Sequence, residues 1–271
     1  MQNLANRDDS HDSHEQTVIF RCPKHDVDYP ARKQNLFGDG SFVHLGGCPV
    51  CSAEIREARD KEVKTRAAEK KSRLLKRCLI PRAYYDATLE NFDPYTDKIQ
   101  LARKAVSQII TEKRGNLFLF GGNGTGKTHL ACAAVVELKG QIWTMSRLSA
   151  RIRSTYTPKA KETEWDVIKE MGRLPILAID EIGRSKKSDA ETNWLSSILD
   201  WRHSELSPTI LISNKHVRSS CGLGGCKDCL ENIIGEDVIS RFADGGHVIN
   251  ITADDYRRRR RKIKSQVEEI T

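Results

Sequence analysis

"LFLFGGNGTGKTHLA" (residues 117–131) sets four apolar residues directly before a glycine-rich turn that ends in Lys127 and Thr128. Within it, "GGNGTGKT" (121–128) satisfies G-x-x-x-x-G-K-[ST] between a predicted strand and a predicted helix, the context in which that pattern cradles phosphate. The glycines at 121, 122, 124 and 126 let successive N–H groups turn inward, and the helix start adds the positive end of its dipole. On this reading Gly121, Gly122, Asn123, Gly124, Thr125, Gly126, Lys127, Thr128 and His129 form a nucleotide cradle. Lys127 is expected at the β- and γ-phosphates, and the Thr128 hydroxyl at Mg²⁺.

Outward from this stretch the pattern alternates between short apolar strands and amphipathic helices. Strands are predicted at "NLFLFG" (116–121), "QIWTM" (141–145), "LPILAID" (174–180), "TILISN" (209–214) and "HVINI" (247–251). Helices are predicted between them, among others at 127–139, 146–155 and 190–206. Such alternation indicates an α/β fold with a parallel five-stranded sheet covered by helices on both faces. The third strand ends in adjacent acids: Asp180 is placed to hold Mg²⁺, and Glu181 to orient and deprotonate an attacking water. Two acids at a strand end carry little meaning alone, but beside a phosphate cradle they indicate ATP hydrolysis. Asn214 ends the next strand and is expected to face the attacking water or the γ-phosphate as a sensor.

Together these motifs resemble those of the AAA+ ATPase family. The combination of "IPRAYYDATLENFDPYTDKIQLA" (80–102), "LAIDEIG" and "GEDVISRFADGGHVINITADDYR" (235–257) resembles the DnaC/DnaI group of bacterial and phage replicative helicase loaders, over roughly residues 78–257. The resemblance implies that Arg241, in "VISRF", is an arginine finger reaching a neighbouring subunit's ATP. It implies that Arg257 is a weaker candidate for a second γ-phosphate sensor. It also implies an ATP-dependent spiral of subunits that opens a hexameric DnaB-type helicase ring and delivers it onto single-stranded DNA. Two other readings stand beside it: an IstB-like transposase helper acting on duplex DNA, and a non-enzymatic zinc-containing DNA adaptor with a relic phosphate loop.

Six of the eight cysteines fall in two tight clusters. "CPKH" (22–25) and "CPVC" (48–51) supply Cys22, His25, Cys48 and Cys51, four N/S ligands sufficient for a tetrahedral Zn²⁺ site. A segment this short folds poorly without such a staple. "HVRSSCGLGGCKDC" (216–229) supplies Cys221, Cys226 and Cys229, with His216 as nearest fourth ligand and Asp228 as the alternative, a candidate second zinc site set against a thiol-bearing loop. Cys78 and Cys132 read as small apolar residues.

The expected organisation is a disordered N-terminus (1–17), a zinc-binding module (18–52) that would grip the helicase, a charged helical linker (53–77), the ATPase domain (78–256) and a basic tail (257–271). The linker has no Gly or Pro and places acids four residues ahead of bases, as in Glu62/Arg66. Net charge is +8, concentrated in the linker and in "RRRRRKIK" (257–264), which suits either a solvated tail or contact with nucleic acid. No apolar run is long enough to cross a membrane. The polar, acidic N-terminus lacks a signal-peptide core, so a cytoplasmic location in a bacterial host cell is expected.

Overall fold

The computed structural model describes residues 16–34, 43–45, 47–184, 188–222, 226, 229–243 and 246–256. Most of the expected N-terminal tail, Gly46, Asp228, Arg257 and the basic tail lie outside the described residues. The chain forms two compact units, Met1–Lys70 and Lys71–Thr271.

In the first unit, β1 (Gln16–Arg21), β2 (Asp28–Gln34) and β3 (Val43–Leu45) form an antiparallel sheet in sequence order. This sheet has no counterpart in the sequence reading, because its strands carry few apolar residues to reveal a period. Helix α1 (Pro49–Arg77) starts inside "CPVC", so Cys51 lies in its first turn. Proline is favoured at that position, where its missing N–H has no helical partner to lose. The module and the linker therefore share one helix, and the compact units divide within it. Of its acid–base pairs, Glu62 and Arg66 close to 2.6 Å.

The second unit contains α2 (Asp97–Glu112), β4 (Asn116–Gly121), α3 (Lys127–Leu138), β5 (Gln141–Thr144), α4 (Met145–Ser154), α5 (Glu164–Arg173), β6 (Leu177–Ile182), α6 (Asp189–Ser204), β7 (Thr209–Ser213), α7 (Leu230–Ile234), α8 (Glu236–Ala243) and β8 (Gly246–Ile251). The sheet is parallel, in the order β5-β6-β7-β4-β8. The strand carrying the phosphate loop is thus flanked by β7 and β8, and β6 lies beyond β7.

Side chains alternate between two apolar layers, as a sheet covered on both faces requires. Leu117 and Leu119 of β4 join the layer with Ile99 and Val106 of α2 and Leu130 of α3. Phe118 and Phe120 join the opposite layer with Leu148, Val167, Ile198, Leu230 and Phe242. The chain leaving α1 is fastened to the sheet edge, where Ile142 N donates to Cys78 O at 3.1 Å. Cys78 and Cys132 are fully buried in the first layer.

Strand β6 differs from its expected limits, starting at Leu177 and continuing through Ile182. Leu174 and Pro175 are spent on leaving α5, whose start is fixed by a capping box between Thr163 and Asp166. The β6–β7 register then shifts between Ile179 and Ile182. At that bulge Glu181 adopts φ +60, a left-handed conformation unusual for a residue with a side chain.

Candidate functional site

The C-terminal ends of β4, β6 and β7 open onto one cavity of about 540 Å³, within the size range of small-molecule sites. Asn123, Gly124, Thr125, Gly126, Lys127, Thr128 and His129 line it together with Asp180, Glu181 and Asn214. The structure thus brings the cradle, the acid pair and the expected sensor to one place. Gly121 ends β4, and Gly122 follows it into the loop.

Lys127 is buried, its ammonium donating to Gly121 O at 2.9 Å and Gly122 O at 2.6 Å. Burial lowers its pKa to about 8, against the opposing pull of the Asp180 charge. Thr128 Oγ1 donates to Asp180 Oδ2 at 2.7 Å, and Glu181 N donates to Asp180 Oδ1 at 2.6 Å. Burial holds the Asp180 carboxyl above its usual range despite those two donors. A hydroxyl and a carboxylate held together beside a lysine form an oxygen-donor pair suited to Mg²⁺. Glu181 pairs with Arg184.

Two glycines of the loop are required by close approach. Gly126 has φ +90, and a Cβ there would lie 2.6 Å from the Phe92 ring. Gly124 has φ +72, and its Cβ would collide with the Asp255 carboxylate.

The cavity also has a rim that motif reading missed: Tyr84, Asn91, Phe92, Tyr95 and Tyr256. Tyr95 stacks on Tyr256 at 5.8 Å between centroids, and Phe92 lies 5.2 Å from the His129 ring. His129 Nε2 donates to Thr88 O at 2.9 Å, and Tyr256 N donates to Gly124 O at 3.0 Å. Segments before and after the sheet therefore meet at the loop. The aromatic residues of "AYYDATLENFDPY" and "DDYR" were the available signal, without periodicity to say where they would point.

Arg241 lies in α8, and its side chain lies outside the described residues. Arg257 lies outside them as well.

Both cysteine clusters converge. The ligand atoms of Cys22, His25, Cys48 and Cys51 all lie within 4.8 Å of one another. Cys22 and Cys51 sulfurs are 3.7 Å apart, and His25 Nδ1 lies 3.2–3.7 Å from the three thiols. A zinc tetrahedron with bonds of about 2.0–2.3 Å has edges of roughly 3.4–3.8 Å, so this donor set fits that ion. His25 Nε2 faces Glu54 Oε1 at 3.1 Å, the outer carboxylate that typically orients a metal-binding imidazole. Burial pushes the Cys22 thiol up, but the His25 and Lys24 N–H groups outweigh it and bring it to about 6. His216, Cys221, Cys226 and Cys229 form a second such group, and these thiols are not joined in disulfides.

With this geometry, the relatives can be read. The family described as IstB-like ATP binding protein matches residues 54–265. The chain belongs to that family. It is 30% identical over 199 residues to the replicative helicase loader DnaC of Buchnera aphidicola subsp. Schizaphis graminum, covering 70% of this chain and 77% of that protein. It is 22% identical over 224 residues to the insertion sequence IS5376 putative ATP-binding protein of Geobacillus stearothermophilus, covering 80% and 82%. The crystal structure of the DnaC helicase loader superposes with a TM-score of 0.52 at 22% identity, covering 64% of this chain and all of that one. This IstB-like chain therefore has the AAA+ fold seen in that loader. No helix among its described residues is long and apolar enough to cross a membrane.

Proposed function

We propose that this IstB-like protein is an ATPase that delivers a hexameric DnaB-type replicative helicase onto single-stranded DNA. Hydrolysis is supported above all by the hydrogen bond from Thr128 to Asp180, made in the same cavity as Lys127, Glu181 and Asn214. The loader role is supported by the relative named replicative helicase loader DnaC, 30% identical across most of both chains.

In this mechanism Lys127 exchanges its carbonyl partners for phosphate oxygens. Thr128 and Asp180 hold Mg²⁺, which when bound neutralises charge developing on the transferring phosphate. Glu181 orients the attacking water and accepts its proton, and Asn214 positions the γ-phosphate end. Arg241 acts in trans, stabilising transition-state charge in a neighbouring copy, so hydrolysis is confined to an assembled spiral. Arg257 is the weaker candidate for a second γ-phosphate sensor. The Cys22–His25–Cys48–Cys51 group holds structural Zn²⁺ in a module that docks on the helicase.

The test is to mix the full chain with a DnaB-type hexamer, ATP and single-stranded DNA and weigh the product by native mass spectrometry. A helicase–loader–DNA assembly that requires ATP supports the proposal. A protein that stays monomeric under every condition and ignores the helicase overturns it. A second reading, a transposase helper on duplex DNA, draws support from the IS5376 relative, and recovery of a transposase instead of the helicase would select it. Absence of phosphate release would select a non-enzymatic adaptor.

A further inference from the structure

The second Cys/His group sits in the connection between β7 and α7, a position with no part in the phosphate chemistry. His216 lies two residues after Asn214, and Cys229 immediately precedes α7. The four ligand atoms lie within 4.8 Å of one another, and His216 Nε2 is 3.4 Å from Cys226 Sγ. That separation matches an edge of roughly 3.4–3.8 Å in a thiolate–imidazole zinc tetrahedron.

The surrounding backbone is already built for it. Leu230 N donates to His216 O at 2.9 Å, closing the two ends of the connection on each other. Asn232 Nδ2 donates to Cys226 O at 2.7 Å, and Arg218 N donates to the Glu231 carboxylate at 2.8 Å. Between Val217 and Cys229 no described residue is buried. A metal ion would add cohesion that these exposed and half-buried residues do not supply. Three thiols crowded against one imidazole supply it once a soft cation takes the place of their protons.

The consequence reaches the ATP site through packing. A Cβ on Gly183 would touch Leu230, Ile233 and Lys215 at 3.3–3.4 Å, so α7 rests on the chain just beyond Glu181 and just beyond Asn214. Only Gly235 separates α7 from α8, which carries Arg241.

We propose that His216, Cys221, Cys226 and Cys229 bind a second Zn²⁺, and that this ion fixes α7 and α8 so that Glu181, Asn214 and Arg241 are positioned for hydrolysis, without taking part in ATP binding. Each thiol releases its proton to solvent on binding, and the imidazole ligates in its neutral form. The metal site stands on the geometry alone. Its effect through Arg241 rests on the proposed trans-acting arginine.

The full chain is purified with and without Cys226→Ser, Cys48→Ser and His216→Cys, and its zinc is counted by elemental analysis. About two ions per chain are expected for the wild type and His216→Cys, and about one for each serine variant. With Cys226→Ser, ATP affinity should hold within about twofold while kcat falls by on the order of tenfold or more. Should Cys226→Ser fail to fold, the wild type reloaded with Co²⁺ decides the count: two thiolate-bound tetrahedral centres support the site, one overturns it. A wild type with one zinc, unchanged by Cys226→Ser, also overturns the site. Loss of one zinc with full hydrolysis in Cys226→Ser overturns the positioning role, and two zincs retained in Cys226→Ser overturn the ligand set. If Arg241→Ala hydrolyses at full rate in the assembled state, the trans-acting arginine fails, and the zinc count still reads the metal site.

Discussion

Thr128 Oγ1 donates a 2.7 Å hydrogen bond to Asp180 Oδ2, joining the first turn of α3 to β6 across 52 residues. The bond ties the phosphate loop to the acid pair before any ligand is present, so two oxygen donors are already in place. Asp180 is nevertheless a buried carboxylate, and burial raises its pKa. The site keeps a charge where the fold alone would prefer none, a common cost of function.

Asp180→Asn should therefore act with opposite signs on stability and activity. The amide oxygen can still accept from Glu181 N while the amide NH2 donates to a reoriented Thr128 hydroxyl, and the substitution removes the buried charge. The melting temperature of the nucleotide-free protein is expected to stay level or rise. ATP hydrolysis should fall by on the order of a hundredfold or more, with Mg²⁺ no longer tightening ATP binding. Differential scanning fluorimetry and nucleotide titrations with and without Mg²⁺ read both effects.

Glu181→Gln should separate binding from chemistry. The side chain is paired with Arg184, so ATP affinity should change by less than about threefold, while phosphate release drops by roughly 10²–10⁴-fold. Equal loss of both would show that Glu181 holds the cradle together instead of serving as base.

Lys127 sets a pH signature. Its pKa is lowered to about 8 by burial, so between about pH 8 and its unfolded value of about 10.4 the folded protein binds fewer protons than the unfolded chain. Unfolding then takes up a proton, and this residue's contribution to stability grows as pH rises through that window and is lost as pH falls through about 8. A triphosphate beside the ammonium restores its charge. ATP binding at about pH 9 should take up close to one proton, and at pH 7 far less. Titration calorimetry in buffers of different ionisation enthalpy measures the count, and equal uptake at both values would contradict the assignment.

Arg202 should control stability without touching nucleotide. It is buried, donating to the carbonyls of Met171, Gly172, Leu174 and Pro208 and to Thr209 Oγ1. Burial lowers its pKa to about 9. Arg202→Met strands the carbonyls at the end of α5 and is expected to cost about 2–4 kcal/mol in chemical denaturation. ATP affinity of the folded fraction should be unchanged, because these carbonyls lie at the opposite end of β7 from the cavity.

Much of the nucleotide site was legible because its chemistry is local. The phosphate loop needs glycines at fixed offsets, a strand before them and a helix after, and β4 and α3 begin where that pattern places them. The acid pair was legible for the same reason. The limits of β6 were not, since the cap of α5 and the bulge at Glu181 depend on what each segment packs against. The antiparallel strands β1 to β3 were hidden because they are short and carry little apolar alternation.

Chain order alone indicated the α/β class, the phosphate loop, the acids Asp180 and Glu181, and the two cysteine clusters, from short motifs whose internal spacing carries the chemistry. Tertiary structure alone decided that Tyr84, Phe92, Tyr95 and Tyr256 share one rim, that Thr128 meets Asp180, and that His216 joins three thiols. The physical reason is distance along the chain: such meetings are fixed by the parallel sheet and the two apolar layers that clamp it, and no local period encodes them.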